Sequence, residues 1–139
     1  MNMPVILQGE EQKPEWLPER LDENIVYGER LVRKSLIFRK KIFTCSLTVA
    51  EPQNFGIIFS NVTTRLLDWY RENEKTAGGV EFSLACRDVT FGKAISSVDT
   101  LANSGGVYSF LKKMDVQLHL YKLGGKYVKT YQPEILERK

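Results

Sequence analysis

The side chains most often used for catalysis or metal binding are scarce in this sequence. It contains one histidine, His119, and two cysteines, Cys45 and Cys86. Their spacing matches no zinc-ligand pattern, and the Gly-Gly pairs at 78–79, 105–106 and 124–125 lack the Lys-Ser/Thr that completes a phosphate-binding loop. The acidic residues concentrate near the amino terminus, where no cavity would shift their pKa. We therefore expect no enzyme activity, no metal and no cofactor.

The same three residues have ordinary structural interpretations. His119 falls on the polar phase of an alternating run, which favours a surface or hydrogen-bonded histidine over a general base. Cys45 and Cys86 fall on apolar phases of strand-like runs, and two cysteines are too few for a secreted disulfide framework. We expect both cysteines to be reduced and buried in the core of a cytosolic protein.

Basic residues are the most informative polar feature. Six of them lie within the twelve residues 30–41, interleaved with apolar side chains, and a further group follows towards the carboxyl terminus. Basic side chains attract the phosphates of lipid or nucleic acid, at roughly 1 kcal/mol per base near an anionic bilayer. The residues predicted to bind membrane or nucleic acid are Arg30, Arg33, Lys34, Arg39, Lys40, Lys41, Lys122, Lys126 and Lys129.

Tyrosines accompany the second basic group. Tyr121, Tyr127 and Tyr131 alternate beside its lysines, an arrangement compatible with stacking on nucleic-acid bases. The alternative is that these lysines protect an edge strand of the sheet against aggregation. The sequence leaves both interpretations open.

The charge is distributed unevenly along the chain. Residues 1–29 hold two basic and seven acidic residues, whereas residues 30–139 hold eighteen basic and ten acidic residues. An acidic arm on a basic body can fold back on itself or contact the basic face of a neighbouring copy. The basic body suits an anionic partner such as lipid headgroups, nucleic acid or an acidic protein.

Residues 1–24 have the sequence of an extended arm, because prolines and acidic residues punctuate them. Trp16 and Leu17 are apolar and lie between Pro14 and Pro18, with no periodic apolar neighbours. An aromatic residue flanked by prolines is suited to anchoring in a partner's groove. The alternative is packing against the same domain. The residues predicted to mediate self-association are Trp16, Leu17, Pro14 and Pro18.

The chain has 139 residues, which is the size of one domain. Its longest uncharged stretch, Pro52–Thr64, has thirteen residues, too few to span a bilayer. Period-two alternation predicts strands at 43–49, 80–86 and 114–121, and a fourth at 126–131 after a Gly-Gly turn. A further apolar strand is predicted at 89–95, a loop with room for a helical turn at 96–106, and a helix from Ser60, as its N-cap, to Asn73. Residues 25–35 fit either a strand or a helical turn.

These elements predict an α+β fold. We expect a single domain, residues 25–139, in which a mostly antiparallel sheet packs against one main helix. Residues 1–24 form the flexible, extended N-terminal arm.

The order of these segments resembles the matrix proteins of rhabdoviruses. Ile42–Val49 looks like the first strand of their globular domain, and Phe55–Tyr70 like the helix that follows it. Gly78-Gly79 and Val80–Cys86 continue the same order, and Gly106–Tyr121 resembles a later block of the lyssavirus members. The similarity covers about residues 38–121 and includes no catalytic or metal signature.

The resemblance implies a viral structural protein. Such a protein would self-associate, bind anionic membrane and contact the viral nucleocapsid or its RNA, with host proteins as further partners. It would be found in the virion, in the host cytoplasm and at the inner face of the host membrane. The chain departs from the family in its acidic arm, where Pro14–Pro18 replaces the usual late-domain motif. The alternative is a small nucleic-acid-binding or host-interaction protein, which would shift RNA with a steep dependence on salt.

Overall fold

The computed structural model describes residues 12–33 and 39–136. Within them, five strands and three helices form one sheet with helices packed on it. The elements, in chain order, are β1 (Val26–Arg33), β2 (Arg39–Thr48), α1 (Phe55–Asn73), β3 (Ala77–Cys86), α2 (Phe91–Ala102), α3 (Gly105–Leu111), β4 (Asp115–Lys122) and β5 (Tyr127–Tyr131). Short 3-10 turns at Pro52–Asn54 and Asp88–Thr90 precede α1 and α2.

The strands are ordered in space as they are in the chain, β1-β2-β3-β4-β5. The pairs β1–β2 and β4–β5 are antiparallel, whereas β2–β3 and β3–β4 are parallel. The α+β class and the single domain are thus confirmed, but the sheet is mixed rather than mostly antiparallel. The reason is that helices connect β2 to β3 and β3 to β4, and a connection of that length returns the chain in the same direction.

The core lies between the sheet and the helices. The predicted alternation in β2 is confirmed, because Phe43, Cys45 and Leu47 are all buried. They belong to the same apolar cluster as Val62 and Leu66 of α1. Both cysteines are free thiols in this core. Burial raises the pKa of the Cys45 thiol to about 12, so this cysteine is protonated and unreactive at neutral pH.

Two predicted elements were wrong. Residues 89–95 were expected as a strand and 96–106 as a loop, but most of this region forms α2 and the start of α3. The buried residues of α2 are Ala94, Val98, Leu101 and Ala102, whose spacing of three to four is the helical period. In addition, α1 begins at Phe55 rather than after Ser60, because Phe55 and Phe59 already face the core. Residues 25–35 fitted either a strand or a helical turn, and the structure shows that residues 26–33 form the strand β1.

The opposite face of the sheet is covered by residues 12–24, here called the N-terminal segment. The Tyr121 hydroxyl in β4 donates a hydrogen bond of 2.7 Å to the Pro18 carbonyl oxygen. The Trp16 ring lies over the Arg30 guanidinium of β1, at 4.5 Å from its centroid. Under this cover Ser83 and Ala85 of β3 are buried although they face away from the helices. Both faces of the central strands are therefore enclosed.

Candidate functional site

The strand register gathers basic residues at one end of the sheet. The residues that share one level across the first four strands are Arg30, Ile42, Gly79 and Asp115. Strands β2, β3 and β4 begin close to this level, and β1 ends three residues beyond it. The residues just before β2, β3 and β4 therefore lie at the same end of the sheet as Arg33, the last residue of β1.

We call this end the amino edge. It extends across four strands, or about 14 Å at the usual strand spacing. All of its basic side chains are exposed except that of Lys41, which is half-buried and donates a hydrogen bond of 2.9 Å to Asn73 Oδ1. The basic residues of the amino edge are Arg33, Arg39, Lys40, Lys41, Lys75, Lys112 and Lys113.

Part of this charge has a structural explanation. Lys75 follows the end of α1, and Lys112 and Lys113 follow the end of α3. Cations near a helix carboxyl terminus are stabilised by the helix dipole. Lys41 of β2 also lies at the end of α1, where it binds Asn73, whereas Arg33, Arg39 and Lys40 do not directly follow a helix. We therefore regard Arg33, Arg39 and Lys40 as the part of the amino edge best suited to an external anion.

The first predicted basic run is divided between the two faces of the sheet. Arg33 and Arg39 lie directly opposite each other on the helix side, whereas Lys40 and Arg30 point to the other face. Arg30 is not a surface group, because its guanidinium is hydrogen-bonded and ion-paired to the largely buried carboxylate of Glu81. Lys34 lies outside the described residues.

The second predicted group does not join the first. Strand β4 runs parallel to β2, so Lys122, at its end, lies at the carboxyl end of the sheet with the turn that follows. Lys126 directly precedes β5 and Lys129 lies within it, and β5 is four strands away from β1. Lys122 also forms an ion pair of 3.5 Å with Asp88. The two groups occupy diagonally opposite corners of the sheet.

The tyrosines beside this second group do not form a stacking platform. Tyr121 is fully buried, and its ring packs edge-on against Tyr127 at a centroid distance of 5.7 Å. Tyr131 packs against the core. Base stacking requires exposed ring faces, so the nucleic-acid interpretation gains nothing from these residues.

The residues predicted to mediate self-association lie in the N-terminal segment. Leu17 is buried in its own domain, with 6% of its surface exposed, whereas Trp16 is 53% exposed. Pro14 accepts a hydrogen bond of 3.1 Å from the Leu17 amide, which makes a turn, and Pro18 accepts the bond from Tyr121. In this conformation Leu17 cannot enter a groove on another subunit. A role in self-association stays a prediction, now confined to the exposed Trp16 and Pro18 and the half-buried Pro14.

A buried polar cluster beneath the N-terminal segment was missed by the sequence analysis. It joins four strands through side chains. His119 Nδ1 lies 2.7 Å from Thr130 Oγ1, which lies 2.8 Å from the Tyr127 hydroxyl. On the other side of the ring, His119 Nε2 lies 3.7 Å from Glu81 Oε2, and Glu81 binds Arg30. A signal was present in the sequence, because Glu81 interrupts an otherwise apolar strand.

The electrostatics of this cluster centre on Glu81. Burial alone raises the pKa of its carboxyl, but the adjacent His119 ring and Arg30 guanidinium outweigh that effect and hold the pKa below its ordinary value. Thr130, His119 and Glu81 lie in a hydroxyl–imidazole–carboxylate order, but the 3.7 Å between His119 Nε2 and Glu81 Oε2 is too long for a hydrogen bond, so the order does not form a proton relay. His119 is also fully buried, so no substrate reaches its ring in this conformation. The cluster fixes the strands and the N-terminal segment together.

Within the described parts of the chain, no helix is long and apolar enough to cross a bilayer. Nor does that portion contain three or more His, Cys, Asp or Glu side chains placed to hold a metal ion. Comparison with known protein families, with curated proteins and with solved structures finds no match to this chain.

Proposed function

We propose that this chain is a matrix-type viral structural protein, which self-associates, binds anionic membrane and contacts the ribonucleoprotein during virion assembly. It acts in the host cytoplasm and at the inner face of the host membrane, and it is carried in the virion. The observation that carries the proposal is the amino edge, where the strand register gathers basic residues that are separate in sequence. The resemblance of residues 38–121 to rhabdovirus matrix proteins is a second, independent support.

An anionic membrane suits the amino edge because Arg33, Arg39 and Lys40 are exposed together at one end of the sheet. Each base near an anionic bilayer contributes about 1 kcal/mol. Three such bases therefore supply about 3 kcal/mol, a weak attachment that self-association would multiply.

Binding to vesicles tests the proposal. We expect the triple variant Arg33→Glu/Arg39→Glu/Lys40→Glu to stop sedimenting with vesicles of phosphatidylcholine and phosphatidylserine. The matched control is Lys122→Glu/Lys126→Glu/Lys129→Glu, which makes the same change in net charge at the opposite corner of the sheet. This control should still bind, and both variants should keep the wild-type circular dichroism spectrum.

Three results contradict the proposal. The first is wild-type protein that does not bind these vesicles, and the second is equal loss of binding in both variants. The third is vesicle binding that survives the Arg33/Arg39/Lys40 changes while binding of single-stranded RNA is lost. That last result identifies the amino edge as a nucleic-acid surface, which is the alternative function.

A further inference from the structure

Strand β1 is an edge of the sheet, and it is the edge better suited to pairing. It has eight residues without a proline, and no other described strand lies on its outer side. The other edge, β5, has only five residues, lies next to a register shift in β4, and is followed by Pro133. An unblocked edge strand presents unpaired backbone N–H and C=O groups to another strand.

The side chains of β1 on the helix side have a simple order. Glu29, Leu31 and Arg33 are exposed and alternate along this side as acid, apolar and base. Arg33 also lies directly opposite Arg39, and like charges in that position are unfavourable. A carboxylate supplied from the outer side of β1 would relieve this repulsion.

A second copy of the same strand can supply that carboxylate. In an antiparallel pair related by a two-fold axis, one residue lies opposite itself, and its neighbours pair symmetrically. An axis at Glu29 or at Arg30 places identical charges together. An axis at Leu31 instead pairs Leu31 with itself and places each Glu29 opposite the partner's Arg33.

We propose that two copies of this chain pair antiparallel along β1 with Leu31 at the two-fold axis. The pairing extends the sheet from five strands to ten. It covers the exposed Leu31 side chain and forms two Glu29–Arg33 ion pairs across the junction. Pairing through β1 leaves the N-terminal segment in its own domain, because that segment is not exchanged.

The two-fold axis has a consequence for the amino edge. Since the axis is perpendicular to the sheet and reverses the strands, the amino edges of the two copies face in opposite directions. Arg33 is ion-paired in this arrangement, but Arg39 and Lys40 stay exposed at the amino edge of each copy. The pair therefore presents a basic edge at each end and can hold two anionic surfaces together. This consequence rests on the proposed function, whereas the pairing itself does not.

Disulfide formation tests the pairing and its register. Cα atoms directly opposite in an antiparallel pair are about 4.5–5.5 Å apart, within the range of a disulfide. We expect Leu31→Cys to form a covalent dimer under mild oxidation. The matched control, Val26→Cys, is also exposed on β1, but in this register the two copies of residue 26 are ten residues apart, about 33 Å. The native cysteines give little background because both are buried.

The outcomes are distinct. A Leu31→Cys dimer without a Val26→Cys dimer supports the proposal. Equal dimer formation by both variants overturns the register. Absence of a Leu31→Cys dimer, with a monomeric wild-type protein in analytical ultracentrifugation, overturns the pairing, whatever the vesicle assay shows.

Vesicle bridging tests the functional consequence. Leu31→Lys places like charges on the axis yet adds a base, so a loss of bridging cannot result from weaker attraction to lipid. We expect this variant to bind phosphatidylserine-containing vesicles as well as wild type but no longer to aggregate them, as followed by turbidity. The control is Ile57→Lys, which changes an exposed side chain of α1, and it should aggregate the vesicles as wild type does. Continued aggregation by Leu31→Lys overturns the bridging mechanism, whereas failure of every protein to bind overturns the proposed function instead.

Discussion

Removal of Arg30 tests how the buried polar cluster stabilises the fold. In Arg30→Met the Glu81 carboxylate loses its charged partner while it remains largely enclosed, with only 7% of its side chain exposed. Loss of one partner of a fully buried ion pair costs about 3–5 kcal/mol. The Arg30 side chain is 29% exposed, so solvent compensates in part. A hydrogen bond to a charged group contributes about 1.5–3 kcal/mol, and we expect a destabilisation in that range at neutral pH.

The sign of the pH dependence separates this explanation from a loss of packing. In the wild type the pKa of Glu81 is lowered, so its stabilisation is complete above the ordinary value of 4.5 and is lost as the pH falls through the folded-state pKa. In Arg30→Met the contribution of Arg30 is lost while that of His119 remains, so the pKa of Glu81 rises from its wild-type value and protonation at low pH relieves part of the penalty. The difference in unfolding free energy between wild type and variant should therefore shrink as the pH falls below 4.5.

Urea denaturation of both proteins at neutral and acidic pH measures this difference. The double variant Arg30→Met/Glu81→Met removes both charges, and it should recover much of the lost stability at neutral pH. A destabilisation that is the same at both pH values, and that the double variant does not reduce, would refute the electrostatic account. Arg30 would then act through its packing against Trp16.

Three further variants test the core and the N-terminal segment by urea denaturation. Leu66→Ala removes a fully buried side chain between α1 and the sheet and should cost about 2–5 kcal/mol, whereas a cost below about 0.5 kcal/mol would show that Leu66 does not support the core. Tyr121→Phe deletes the hydrogen bond to Pro18 and should cost about 0.5–1.5 kcal/mol, and an unchanged unfolding midpoint would contradict that contact. Leu17→Ala should destabilise the isolated chain even at high dilution, because Leu17 packs within its own domain; a cost that appears only at concentrations where the protein assembles would place it between subunits.

The fold class could be predicted because alternation in β2, β3 and β4 follows directly from burial on the helix side. The parallel pairing could not, since strand direction depends on the connections, and α2 was mistaken for a strand and a loop. Its segment is rich in Ser, Thr and Gly, and the helical spacing of Ala94, Val98 and Leu101 emerges only when small residues are counted as core.

The candidate site was only partly predictable. The density of bases in residues 30–41 identified Arg33, Arg39 and Lys40, but it could not show that Arg30 turns inward to Glu81. Nor could it show that Lys75, Lys112 and Lys113 lie at the same edge, because that follows from three strands beginning at one level. The sequence shows where basic residues are dense, but the register of the strands determines which of them are neighbours in space.

The placement of the N-terminal segment determines when the protein can finish folding during synthesis. The segment leaves the ribosome first, but Pro18 contacts Tyr121, which follows it by 103 residues. At about 5–20 residues per second, this contact waits roughly 5–20 s after Pro18 has been made. During that interval Trp16 and Leu17 are exposed on the nascent chain, open to chaperones and to other copies on the same messenger RNA. Docking of the N-terminal segment thus waits until β4 has been synthesised.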